Sequence, residues 1–70
     1  MKVSLYYHPC QPRSEDPLQF ADMDILPLLG QVIRYTNYDD HYEDGIVKEI
    51  RWDVTAEASS FAIVLVERIE

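Results

Sequence analysis

Phe61-Ala62-Ile63-Val64-Leu65-Val66 contains no charge, no glycine and no proline, and both of its alternating faces are apolar. A strand with one wet face alternates apolar with polar residues, so a run apolar on both faces belongs in the centre of a sheet or under cover on both sides. In a chain of 70 residues there is little material for a second layer, and a strongly bent sheet closing toward a small barrel buries such a strand most directly. Glu67 and Arg68 follow at once. They read as gatekeepers, because an uncharged β-branched run aggregates if it opens.

Working outward, Ile46 to Val54 reads as a long strand with Ile46, Ile50, Trp52 and Val54 on one face, and Gln31 to Thr36 as a shorter one. The segment from Tyr35 to Gly45 joins them as a hairpin loop, with Gly45 available for a positive-φ position. At the start, Val3, Leu5 and Tyr7 alternate with Lys2, Ser4 and Tyr6, a half-buried strand that ends at Pro9. Residues 8–17 hold three prolines and mixed charges, an irregular loop. Near residues 22–29 the spacing of Ile25, Leu28 and Leu29 predicts one short helical turn capped by Asp22 or Asp24, with Pro27 inside its first turn and Gly30 closing it. Thr55 to Ser60 is a second connection. The expected fold is mostly β, within a single domain spanning 1–70: a four-stranded, strongly bent antiparallel meander or small barrel.

Composition narrows the functions. Thirteen acidic against six basic side chains give a formal net charge of −7 and a pI near 4.5. Such a chain repels phosphate backbones and anionic membranes and attracts basic proteins, an attraction that weakens as salt rises. Direct nucleic-acid or membrane binding is therefore not expected. With 47% hydrophobic residues the chain folds despite its charge. A domain this small has a thin stability margin, which a partner or a second copy would widen. Cys10 is the only cysteine and the N-terminus shows no apolar leader or span, so the cytoplasm is the expected compartment.

Three segments, Gly30 to Tyr35, Glu43 to Ile50 and Ile63 to Val66, together resemble the SH3-like small barrels of the Tudor, KOW and Sm types over about the last forty residues. The resemblance implies a curled barrel and binding of peptides, methylated side chains or RNA. Fold alone does not carry function across.

The densest chemistry lies between Tyr35 and Gly45, where four carboxylates and three tyrosines share one connection. Carboxylates supply attraction and tyrosine supplies rigid contact area, so Tyr38, Asp39, Asp40, Tyr42, Glu43 and Asp44 are the expected partner-binding residues, facing a protein with a basic surface. An aromatic cage of Tyr35, Tyr38, Tyr42 and Trp52 around a methylated ammonium is a narrower version. Asp40, Asp44 and Gly45 match three places of a calcium loop, but Arg51 stands where a bidentate glutamate is required. His8, Cys10 and His41 lack zinc-site spacing. Nothing orients Cys10 against a histidine, so no catalytic residue, metal or cofactor is expected and the chain does not read as an enzyme.

These residues favour a non-catalytic acidic interaction protein that occupies a basic surface, as an inhibitor mimicking nucleic acid where that surface holds a phosphate chain, in the manner of phage or mobile-element regulators. The alternative is an accessory subunit or homo-oligomer in which another chain covers the strand 61–66. A second alternative is a small-barrel RNA-binding module using Arg34, Lys48 and Arg51.

Overall fold

The computed structural model describes residues 1–10, 15–57 and 60–69. Among these residues five strands form a single sheet: β1 (Lys2–Tyr7), β2 (Gln19–Asp22), β3 (Val32–Thr36), β4 (Tyr42–Trp52) and β5 (Ala62–Arg68). The order is β2-β1-β5-β4-β3, with β1 and β5 parallel and the other neighbours antiparallel. The sheet is strongly curled into a half-barrel.

β5 lies at the centre, as its two apolar faces require. Ala62, Val64 and Val66 turn into the curl and are fully buried with Val3, Leu5, Leu18, Tyr35 and Val47, while Met23, Leu26, Ile33 and Ile50 pack against this cluster. Leu65 points the other way and is equally buried. On that outer face Ser4 and Ser60 share a 2.6 Å hydroxyl hydrogen bond, and Tyr6 lies beside Cys10, Glu15 and Asp16. Within the run 61–66, Ala62, Val64, Leu65 and Val66 are fully buried by their own chain, while Phe61 remains 50% exposed.

Three expectations are corrected. The sheet has five strands, and only β3-β4-β5 form an antiparallel meander. There is no helical turn near residues 22–29: Phe20 and Asp22 pair with Ser4 and Lys2, and the chain then runs irregularly to Gln31. The edge of β1 offers a hydrogen-bond ladder, whereas a turn interrupted by Pro27 leaves backbone groups without partners. Gly30 does adopt a left-handed conformation (φ 85°) where the chain enters β3. The expected apolar face of Ile46, Ile50, Trp52 and Val54 is broken by a bulge: Val47 faces Val66 and Glu49 faces Leu65, so Lys48 is the extra residue. Val47 and Ile50 therefore pack inward, while Trp52 and Val54 are exposed and Trp52 meets Phe61 edge-on at 5.7 Å.

The two edges of the curl do not form a ladder. Gln19 Oε1 on β2 accepts the Thr36 amide of β3 at 2.8 Å, so a side chain spans the seam. Residues 11–14 of the predicted loop 8–17, and 58–59 of the connection 55–60, lie outside the described residues.

Candidate interaction site at the hairpin tip

Thr36 pairs with Tyr42, and the Asn37 amide donates to the His41 carbonyl at 2.8 Å, so the connecting loop shrinks from the expected 35–45 to Tyr38, Asp39 and Asp40. A three-residue hairpin closes through one residue in the left-handed region. Asp40 fills it, with φ 60°, and a short polar side chain tolerates that conformation better than most. Asn37 organises the turn. Its Oδ1 accepts the amides of Asp39 (2.9 Å) and His41 (3.0 Å), and its carbonyl accepts the Asp40 amide.

Gly45 is not the positive-φ residue expected of it; it lies within β4. A Cβ there would fall 2.8 Å from Cε1 and 2.9 Å from Oη of Tyr35, and 3.1 Å from the Glu67 carbonyl. The glycine leaves room for the Tyr35 ring to cross β4.

Strand alternation then separates the six expected contact residues. Glu43 shares the inner face with buried Tyr35. Its Oε2 accepts hydrogen bonds from the hydroxyls of Tyr7 (2.5 Å) and Tyr35 (2.7 Å), and its Oε1 accepts from Asn37 Nδ2 at 2.8 Å. Burial works to raise the Glu43 carboxyl, but the donors Tyr7, Asn37 and Tyr35, together with Arg68, outweigh it and hold the group below its usual range. The phenols move the other way. Burial and then the bond to Glu43 push Tyr7 up to about 12 and raise Tyr35 as well. Glu43 is therefore part of a network joining β1, β3 and β4.

Tyr38 leans toward β1. Its hydroxyl donates to the Asp16 carbonyl at 2.6 Å and its ring meets Tyr7 edge-on at 6.0 Å. Tyr42 lies on the outer face and is 79% exposed. Asp44, on that same face, holds Arg34 Nε at 3.0 Å. Tyr38 and Tyr42 thus occupy opposite sides of the hairpin. Asp39, Asp40, His41 and Tyr42 stay open at the tip, and Tyr38, although bonded to Asp16, remains 56% exposed.

The aromatic cage is overturned: Tyr35 is buried, and Trp52 stands at the opposite end of β4 from Tyr42. Among the described residues no group of three or more His, Cys, Asp or Glu side chains is gathered for a metal. Burial and neighbouring Glu15 push the Cys10 thiol up, which disfavours the thiolate. Arg34, Lys48 and Arg51 do not share a patch either: they contact Asp44, Glu67 and Glu49 respectively.

Tyr7 and Asn37 are the site residues that the sequence reading passed over. Tyr7 had the inward parity of Val3 and Leu5, and Asn37 stood at the hairpin's start as a turn former. Compared with known proteins, the chain matches no family model, no curated protein and no solved structure.

Proposed function

We propose that this chain is a non-catalytic interaction module that sets the tip of its β3–β4 hairpin against a basic surface of a partner protein. One observation carries the reading. Asp39 and Asp40 are exposed beside the 79%-exposed ring of Tyr42, on a turn held by Asn37, and neither carboxylate has an ion pair among the described residues. A prearranged tip loses little freedom on binding, so attraction by its carboxylates and contact by its ring are retained as affinity. Tyr38 and Glu43 act as supports of that tip, and the charge of Asp44 is already met by Arg34. Where the partner surface normally holds nucleic acid, occupying it excludes the phosphate chain.

The RNA-binding alternative loses support because the cations it needs already face carboxylates. The test compares the wild-type chain with Asp39→Asn/Asp40→Asn and with Tyr42→Ala as bait for proteins of the native host. Retained basic proteins should bind each variant roughly tenfold more weakly, and the double variant should lose most of its salt dependence between about 0.01 and about 0.15 M. Retention that ignores all three residues would refute the tip as the contact.

A further inference from the structure

β2 has four residues, pairs with β1 on one side and turns its other side to the seam of the curl. Of residues 15–22 only Leu18 is buried, while Glu15, Asp16, Phe20 and Asp22 are exposed. A segment with so few buried apolar contacts opens at lower cost than the core it lies on. Two described hydrogen bonds reach across the seam to it. Gln19 Oε1 accepts the Thr36 amide at 2.8 Å, and the Asp16 carbonyl accepts the Tyr38 hydroxyl at 2.6 Å.

We propose that residues 15–22 form a strap that opens as one unit, latched to the β3–β4 hairpin by Gln19 and Tyr38. In a closed barrel a ladder of backbone bonds would join β2 to β3. Here two bonds that each use a side chain stand in its place, so losing either removes much of the hold across the seam. On its other side the strap ends in two backbone bonds: the Leu18 amide donates to the Leu5 carbonyl at 2.7 Å and the Met23 amide to the Met1 carbonyl at 2.8 Å. The ladder between them is four residue pairs long, too short to keep part of β2 in place once one end is free. Opening exposes one buried side chain, Leu18, and the half-buried Ala21, while Val47, Val64 and Val66 stay in the core.

The latch ties the strap to the hairpin tip. Tyr38 also meets the Tyr7 ring edge-on at 6.0 Å, so with the strap open the ring keeps that contact and its hydroxyl loses its acceptor. Coupling of this kind is reciprocal: a hairpin held still keeps the strap shut, and a strap that opens loosens Tyr38. Opening also bares the edge of β1 from Lys2 to Leu5, an unpaired ladder on which another chain can build. Gln19 and Tyr38 therefore guard that edge.

Amide hydrogen exchange of the full chain, followed residue by residue by NMR, tests the strap. Leu18 and Met23 should share one opening equilibrium and exchange at least about tenfold faster, relative to their intrinsic rates, than Val47, whose amide is held by the Gln31 carbonyl. Thr36 should exchange no more slowly than Leu18, because its acceptor leaves with the strap. Gln19→Ala and Tyr38→Phe should each speed Leu18 and Met23 about fivefold, the net worth of one hydrogen bond. Ile50→Val, on β4 opposite Val64, should speed Val47 about fivefold and leave Leu18 and Met23 within about twofold, since the core is intact while the strap is open. Leu18 and Met23 exchanging together with Val47, exchanging at unrelated rates, or ignoring both latch variants would each overturn the proposal. Every readout is taken on the chain alone, so the result stands apart from the partner at the tip.

Discussion

The inner and outer faces of the β3–β4 hairpin are assembled from the same residue types and behave as opposites. On the inner face Tyr35 meets Glu43, and the half-buried carboxylate gathers three donors. On the outer face Tyr42 stands in solvent, and Asp44 meets Arg34 where both side chains stay wet. A solvated ion pair contributes about 0–1 kcal/mol, whereas removing the acceptor of a part-buried network leaves three donors to find new partners at once. Density of carboxylates and tyrosines therefore does not mark a docking surface. The parity of a residue along its strand decides whether it builds the fold or faces a partner.

The largest break in this comparison comes from Gly45→Val. The new side chain would collide with the Tyr35 ring and the Glu67 carbonyl, displacing the ring that organises the inner face. A loss of about 3 kcal/mol in urea unfolding is expected, and an undiminished midpoint would show that the ring is not confined by the glycine. Next comes a matched pair. Glu43→Ala strands the hydroxyls of Tyr7 and Tyr35 and the Asn37 amide, for about 2 kcal/mol, while Asp44→Ala should cost less than about 1 kcal/mol. Equal losses from the two would erase the distinction between the faces.

pH sharpens the same contrast. The Glu43 carboxyl is depressed in the folded chain, so its stabilisation is complete above the ordinary glutamate value of 4.5 and is lost as pH falls through the lower folded value. Tyr7 and Tyr35 are raised, so their contribution is complete below the ordinary value of 10.0 and is lost as pH climbs, through about 12 for Tyr7. Thermal unfolding should show a plateau between these limits. Glu43→Gln should flatten its acid edge; an acid edge of unchanged steepness would assign that loss to other carboxylates.

The fold was legible where periodicity alone decides. The doubly apolar run from Ala62 to Val66 announced a central strand, and Val3 and Leu5 announced an inward face. Reading failed where a long-range partner overrides a local preference. Gln19 to Asp22 is too short to declare itself as a strand and becomes one because β1 has an open edge. The bulge at Lys48 shifts the parity of half of β4, and no turn signal near it says so. At the site, the residue types were visible and their direction was not. The hairpin's register, closed by Asn37 and Asp40, is what sends Glu43 inward and Tyr42 outward, and a loop assumed to run from 35 to 45 has no register to read.

The smallest expected effect on stability is also the most useful. Asn tolerates the left-handed region about as well as Asp, so Asp40→Asn keeps the turn at φ 60°, and Asp39→Asn touches no side-chain bond described at the tip. The double variant should unfold within about 0.5 kcal/mol of the parent. It removes two of the thirteen acidic side chains while the inner network and its three donors stay in place. A drop in partner binding with that stability intact belongs to charge at the tip. A drop in stability would instead mean that Asp39 and Asp40 belong with Glu43, as part of what holds the hairpin shut.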